Sequence, residues 1–205
     1  MVIAIDINDI IRNTTEQFRR IYCKEIDNNF AIDDEDITTN ILSDIFPFET
    51  KKDYNQFRYI DYVFELFGRA EPCSDLVTTV FTDWTNNTLQ NLDDEEIPKS
   101  IILFSPYEKN LSIQATLNFL SVNRIREREY YFPTDSMTIY DKADIVITAN
   151  PRLIENVPSD KFVIKINKPY NKDIESKFSF DTLEDVIRDE NETIIKILKG
   201  ENKND

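Results

Sequence analysis

The first eleven residues, M-V-I-A-I-D-I-N-D-I-I, constrain the fold more than any other part of the chain. An apolar run over residues 2–5 ends on Asp6, and a short apolar run bounded by polar residues is typical of a buried parallel strand. A carboxylate at the carboxyl end of such a strand lies at the edge where open α/β sheets bind their ligands. We therefore expect any chemistry of this protein to involve Asp6.

Four later stretches repeat this pattern and alternate with segments of helical periodicity. Strands are predicted at 101–104, 130–132, 143–147 and 162–166. Helices are predicted to begin near Thr14 and to cover 110–122 and 182–199. Strands that alternate with helices predict βαβ units, and therefore an α/β fold with a central parallel sheet and right-handed crossovers.

Residues 44–92 interrupt this alternation and are rich in aromatic side chains. Helical spacing is found at Phe57, Ile60, Phe64 and Phe67, which predicts two or three packed helices with a break near 68–74. We expect a small helical insertion beside a core formed by residues 1–43 and 93–205. The aromatic rings should form the core of this insertion, or else a stacking pocket for a base or a partner's side chain.

The composition argues against several kinds of site. The chain has no histidine, which removes histidine-based general base catalysis and histidine metal ligation. It has two glycines, which excludes a glycine-rich phosphate loop. The two cysteines, Cys23 and Cys73, lack metal-ligand spacing and predict free thiols in a reducing compartment. The acidic stretch 27–36 lacks the glycine and the terminal glutamate of an EF-hand, so we expect a surface loop.

The net charge of −15 argues against a nucleic-acid backbone as the main partner. This charge serves solubility, or it complements a positively charged partner surface. We find no signal peptide and no apolar run long enough to cross a membrane, so we expect an intracellular, cytoplasmic protein. The bias towards Ile, Asn, Lys and Asp suggests an A·T-rich genome.

Four motifs in order, with the insertion between the first two, resemble the haloacid dehalogenase-like (HAD) phosphohydrolases, nearest to their 5′(3′)-deoxyribonucleotidase branch. The motifs are I-A-I-D-I-N-D-I-I at 3–11, I-I-L-F-S-P at 101–106, A-D-I-V-I-T-A-N-P-R-L-I at 143–154 and K-P-Y-N at 168–171. The resemblance implies a HAD-like, Rossmannoid parallel sheet flanked by helices, with the aromatic insertion as a small helical cap.

The resemblance also implies roles for individual residues. In that family an Asp-x-Asp after the first strand supplies a nucleophile and a general acid, and a Ser or Thr after the second strand holds the phosphate. This assigns Asp6 as the nucleophile and Ser105 as the phosphate-binding hydroxyl, whereas Asn8 stands in place of the general acid. Asp6 and Asn8 would be the protein's ligands to Mg²⁺ if that ion still binds.

Several positions depart from the family pattern. An amide such as Asn8 cannot transfer a proton, and the candidate lysines, Lys109 and Lys142, have the wrong spacing. Where acidic residues should follow the fourth strand, the chain reads T-A-N at 148–150. Without a metal and a lysine, the charge of a transferring phosphoryl group would be largely uncompensated.

These departures predict a catalytically inactive HAD-like protein that acts as a structural or binding subunit of a larger assembly, of which a bacteriophage virion is one example. Such a protein needs no cofactor, and its partner would be another protein or a second copy of the chain, not nucleic acid or a membrane. The alternative is a Mg²⁺-dependent phosphatase or 5′-nucleotidase with an aspartyl-phosphate intermediate at Asp6. A third hypothesis is a module that senses a nucleotide or phosphate without hydrolysis, which would need a basic pocket near Ser105.

Overall fold

The computed structural model describes residues 1–33, 36–74, 100–127, 129–189 and 192–198, together with positions 77, 79, 81 and 84. Some predicted features lie outside the described residues. These are Asp34 and Glu35 of the acidic loop, most of the second half of the insertion, the polar connection at 93–98 and the tail at 201–205.

Six parallel strands of the described chain form one sheet. They are β1 Val2–Asp6, β2 Ser100–Phe104, β3 Glu129–Tyr131, β4 Ile145–Thr148, β5 Phe162–Ile166 and β6 Ser179–Phe180. Their order is β3-β2-β1-β4-β5-β6, and every neighbouring pair is parallel. The strand order therefore reverses at β1, which is the point where open α/β sheets form their ligand crevice. The predicted α/β fold with a central parallel sheet is confirmed.

The central strands are buried on both faces of the sheet. Ile5 is paired with Leu103 on one side and with Ile147 on the other, and all three belong to one apolar cluster. Ala4 and Val146 point to the opposite face and belong to a second cluster. This alternation follows from the period of two along a strand, and burial on both faces explains the continuous apolar runs in the sequence.

Helices cover both faces of the sheet and build the insertion. The helices are α1 Thr14–Glu25, α2 Leu42–Ile45, α3 Lys51–Gln56, α4 Leu111–Val122, α5 Pro151–Glu155, α6 Leu183–Arg188 and α7 Glu192–Leu198. Two π-helical segments, Phe57–Asp61 and Phe64–Gly68, continue the insertion, and 3₁₀ turns cover Ser136–Asp141 and Pro169–Asn171. None of the helices in the described ranges is long and apolar enough to span a membrane.

The aromatic side chains of the insertion pack against α1. The Phe18 ring of α1 lies 4.9 Å from the Phe46 ring and 5.1 Å from the Phe57 ring, measured between centroids, and all three are buried. The end of the second π-helical segment lies close to α4, because a Cβ atom on Gly68 would lie 3.3 Å from the carbonyl oxygen of Ala115. The rings of Phe18, Phe46 and Phe57 therefore form part of the hydrophobic core of the insertion. The boundaries of the insertion stay a prediction.

Several elements differ from the sequence prediction. The third and fourth strands lie at Glu129–Tyr131 and Ile145–Thr148 rather than at 130–132 and 143–147, and β6 was not predicted at all. With two residues, β6 is too short to produce a periodic signal. The predicted helix at 182–199 is divided into α6 and α7. It divides near Asp189, whose carboxylate accepts a hydrogen bond from the Thr193 amide (2.8 Å) and so caps the second helix.

Candidate functional site

Asp6 ends β1 and is almost fully buried, with 3 % of its surface exposed. The backbone N–H of Asn8 donates a hydrogen bond to Asp6 Oδ1 (3.1 Å), and the Thr148 hydroxyl donates one to Oδ2 (3.0 Å). Burial raises the pKa of Asp6 to about 7, although these two hydrogen bonds favour the ionised form. The residue assigned as nucleophile therefore lies at the sheet edge with both carboxylate oxygens bonded from within the chain.

Asn8 and Ser105, which follow β1 and β2, are brought together close to Asp6. The Asn8 side-chain amide donates a hydrogen bond to Ser105 Oγ at 2.7 Å. Its carbonyl oxygen accepts hydrogen bonds from Arg12 Nη2 (2.6 Å) and from the Thr14 hydroxyl (2.9 Å). The side chain that stands at the general acid position is therefore part of an internal polar network.

A buried ion pair that sequence reasoning missed forms the centre of this network. Arg12 Nη2 lies 2.8 Å from Glu108 Oε1, and both side chains are fully buried. The Ser105 hydroxyl donates to Glu108 Oε1 at 2.5 Å, and the Thr116 hydroxyl donates to Oε2 at 2.6 Å. The hydroxyl that the resemblance assigns to phosphate is thus already bonded to a carboxylate.

Asp9 adopts a positive φ of 57°, a conformation that aspartate tolerates better than most residues. Its carboxylate accepts hydrogen bonds from the Thr15 amide (2.9 Å) and the Thr15 hydroxyl (2.6 Å), so it satisfies a free N–H at the start of α1. The Tyr170 hydroxyl donates a third bond at 3.0 Å. Burial raises the pKa of Tyr170 well above its usual value, so the phenol remains a donor. Asp9 therefore holds α1 and the K-P-Y-N stretch together.

The stretch after β4 also has a structural explanation. The Asn150 amide donates to Thr148 Oγ1 at 3.0 Å. The Asn150 side-chain oxygen accepts from the Arg152 amide at 3.1 Å, which caps α5 in front of its first-turn proline. Asn171 of the K-P-Y-N stretch donates to the Ala149 carbonyl at 2.9 Å. The polar groups at 148–150 thus organise the loop itself.

The side-chain oxygens that the resemblance assigns to Mg²⁺ already accept hydrogen bonds within the chain. Both oxygens of Asp6 accept hydrogen bonds, and the Asn8 oxygen faces the Arg12 guanidinium at 2.6 Å, which would repel a cation. Mg²⁺ usually binds one or two carboxylates together with phosphate and water. In the part of the chain that the structure describes, no group of three Asp, Glu, Cys or His side chains could hold a metal ion.

The two candidate lysines lie elsewhere. Lys109 Nζ lies 5.0 Å from the centroid of the Tyr59 ring, and Lys142 Nζ lies 4.9 Å from that of Tyr131. The residues that line the space above Asp6 include neither lysine. The absence of a lysine at the family position stays a prediction.

A cleft of about 400 Å³ opens above Asp6, between the insertion and the edge of the sheet. Its lining includes Asp6, Asp9, Arg58, Tyr59, Tyr107 and Arg152. Sequence reasoning assigned no role to either arginine: Arg152 lies within the motif at 143–154, and Arg58 belongs to the aromatic insertion. The cleft thus contains cationic groups that sequence reasoning did not place there.

No protein-family model matches the sequence, and no curated protein matches it either. Among solved structures, the fold is similar to that of a haloacid dehalogenase-like hydrolase from Burkholderia xenovorans. The TM-score is 0.55, and the match covers 91 % of this chain and 94 % of that chain at 6 % sequence identity. At this identity the likeness concerns the fold and not the activity. The chain therefore has an α/β fold of the HAD-like type, with a parallel sheet flanked by helices.

Proposed function

We propose that this protein is a catalytically inactive HAD-like protein that acts by binding. The observation that carries the proposal is the hydrogen bond from the Ser105 hydroxyl to the buried Glu108 carboxylate (2.5 Å). A phosphate bound at Ser105 would have to displace this bond and would lie beside a second anion. Two like charges about 4 Å apart repel by roughly 4 kcal/mol at an effective dielectric constant of about 20. Arg12, which is paired with Glu108, would offset part of this repulsion.

The neighbourhood of Asn8 supports the same proposal. Its amide has no proton to give to a leaving group, and its oxygen is bonded to Arg12 and Thr14. The loss of a general acid typically slows a reaction by about 10²–10⁴-fold. Without a magnesium ion at these positions, a further source of charge stabilisation would be missing.

The alternative is a Mg²⁺-dependent phosphatase in which Asp6 attacks phosphorus and forms an aspartyl phosphate. The observation that favours it is the place of Asp6 in the lining of the 400 Å³ cleft. This reaction would require Asn8 and Ser105 to give up their present hydrogen bonds, and it would require a cation from outside the network.

Phosphate release with Mg²⁺ distinguishes the two functions. We expect native protein and Asp6→Asn to release phosphate from phenyl phosphate and from nucleoside monophosphates at the rate of the buffer alone. Circular dichroism should show that both proteins are folded. Phosphate release by the native protein that Asp6→Asn abolishes would overturn the proposal in favour of the phosphatase.

We further propose that the protein works as a subunit of a larger assembly in a reducing compartment, with a bacteriophage virion as one candidate. The support is the charge of −15, which suits a positively charged partner surface, and the two free cysteines. Light scattering after size-exclusion chromatography, combined with affinity capture, should reveal an oligomer or a stable complex. A strict monomer that recovers no partner would contradict this part of the proposal.

A further inference from the structure

The guanidinium group of Arg58 lies at the cleft above Asp6 and donates few hydrogen bonds. It belongs to the π-helical segment Phe57–Asp61, is partly buried and lines the cleft. Its Nη1 donates a hydrogen bond to the Tyr54 hydroxyl at 2.5 Å. The guanidinium carbon lies 5.2 Å from the centroid of the Tyr59 ring and 5.5 Å from that of Phe67, so aromatic faces hold it in position.

The hydrogen-bonding capacity of Arg58 is largely unfilled. Among the described residues, its Nε is a buried side-chain nitrogen without a hydrogen-bond partner, and no carboxylate pairs with the side chain. The contrast with Arg12 is direct, because Arg12 donates five hydrogen bonds, to Asn8, Thr14, Phe67, Glu108 and Thr116. A buried donor without an acceptor costs about 1–3 kcal/mol, more when it is charged. Since Nε is almost inaccessible, an anion in the cleft would bind to the other N–H groups of this guanidinium.

The walls of the cleft add a second cation and several aromatic rings. Arg152, about half exposed, donates to the Tyr107 hydroxyl at 3.2 Å and is paired with Asp135 at 3.0 Å. Tyr54, Tyr59 and Tyr107 line the same space. Tyrosine rings pack favourably against a planar ligand, and a cavity of about 400 Å³ falls within the size range of small-molecule sites.

Because the acidic groups of the site would repel an anion, its favoured position is on the side of the cleft that the insertion forms. Asp6 and Asp9 lie in the cleft lining, and Glu108 lies behind Ser105. An anion at these carboxylates would be repelled, whereas Arg58 lies on the insertion and has donors to offer. The position for an anion is therefore different from the phosphate position that the HAD resemblance implies at Asp6 and Ser105.

We propose that the cleft binds a small aromatic anion, with its carboxylate or phosphonate group on Arg58 and its ring against the tyrosines of the walls. This inference rests on the proposed function, because it treats the cleft as a binding site whose ligand is not hydrolysed. Arg58 is the residue that selects for negative charge, since its fork of N–H groups fits a planar carboxylate.

Isothermal titration calorimetry with 1-naphthoate, phenylphosphonate and the neutral analogue 1-naphthamide tests the proposal on the native protein. We expect saturable binding of both anions. The neutral amide should bind at least about tenfold more weakly, which corresponds to the loss of a charge-assisted hydrogen bond. No binding of either anion up to about 10 mM, or equal binding of the amide, would overturn the proposal.

Three variants locate the anion. Arg58→Met removes the charge and should weaken 1-naphthoate binding by about tenfold or more, and Arg58→Lys, which keeps the charge without the fork, should give an intermediate loss. The matched control is Arg69→Met, which changes an exposed arginine of the insertion that is paired with Glu65 and should leave binding unchanged. If Arg58→Met does not fold, the partial loss in Arg58→Lys still tests the proposal. Unchanged binding in both Arg58 variants would show that the anion lies elsewhere.

The probes contain no bond that a phosphatase can hydrolyse. The binding experiment therefore tests the anion site independently of the proposed lack of phosphatase activity. Phosphate release from phenyl phosphate would overturn the proposed function and would leave an Arg58-dependent binding of 1-naphthoate intact. A protein that neither releases phosphate nor binds the aromatic anions would keep the proposed function and refute this inference.

Discussion

Asp6 is a deeply buried carboxyl group, and it should couple the stability of the protein to pH. Burial raises its pKa in the folded protein to about 7, compared with a usual value of 3.8. Between these two pH values, the unfolded chain has lost the proton that the folded chain still holds. The free energy of unfolding should therefore fall as the pH rises from about 4 to about 7, by up to roughly 4 kcal/mol from this group.

Asp6→Asn tests this coupling, because the amide has a similar shape and cannot ionise. We expect the variant to gain stability relative to native protein as the pH rises from about 4 to about 8. Urea unfolding followed by circular dichroism at a series of pH values measures the difference. Asp160→Asn, at an exposed position, is the matched control. Parallel pH profiles for Asp6→Asn and native protein would contradict the argument from burial.

Glu108 should be important for stability, because its removal leaves a buried guanidinium group unpaired. We expect Glu108→Gln to lower the free energy of unfolding by about 3–5 kcal/mol. Arg12→Met combined with Glu108→Gln should cost less than the sum of the two single changes, since the unpaired charge is then gone. Glu16→Gln, which breaks the more exposed pair with Arg19, should cost less than about 1 kcal/mol. Equal losses in Glu108→Gln and Glu16→Gln would refute the expectation.

Residue types and order in the sequence were enough to place Asp6, Asn8 and Ser105 at one edge of the sheet. They were not enough to find the partners of these residues. Arg12 directly follows an apolar pair next to the first motif, which is a weak signal, but its partner Glu108 is 96 positions away. Sequence spacing reports on groups that are close in the chain, whereas the network here depends on contacts between distant loops.

At the scale of elements, the sequence predicted best where burial on both faces gives a continuous apolar run. This holds for β1, β2 and β5, whose predicted and observed ranges nearly coincide. The short β6 was missed because it has no periodic pattern of its own. The spacing of Phe57, Phe64 and Phe67 predicted helices in the insertion but not their π-helical form. A π-helical turn depends on local packing, and here it carries Arg58 to the cleft.

The packing of the insertion on α4 depends on Gly68. A Cβ atom at this position would lie 3.3 Å from the Ala115 carbonyl oxygen and 3.5 Å from the Ala115 Cβ. We expect Gly68→Val to lower the free energy of unfolding by about 1–3 kcal/mol, because the extra methyl groups meet helix backbone that cannot move away easily. Gly68→Ala should cost less, since its smaller side chain also restricts the unfolded chain. Urea unfolding measures the free energy of unfolding of both variants. A Gly68→Val protein as stable as the native one would show that α4 can move to make room for the larger side chain.

At the scale of the whole molecule, the anionic surface and the buried polar network respond to different conditions. The chain carries 39 acidic and 24 basic residues, for a net charge of −15. Exposed charges repel one another over a distance that salt controls, whereas the Arg12–Glu108 pair is fully buried and little affected by salt. A change in ionic strength should therefore alter the contribution of the surface repulsion to stability and leave that of the buried network nearly unchanged.

We expect the melting temperature at neutral pH to rise by several degrees when NaCl is increased from about 10 mM to about 150 mM, because the Debye length falls from about 30 Å to about 8 Å. The same titration near pH 4.5, the isoelectric point of the sequence, is the control and should produce a much smaller change. Differential scanning calorimetry at both pH values makes the comparison. A melting temperature that falls with salt at neutral pH would mean that attractive surface ion pairs outweigh the net repulsion. The stability of this fold would then depend on specific pairs such as Arg152–Asp135, at the rim of the cleft, rather than on the overall charge.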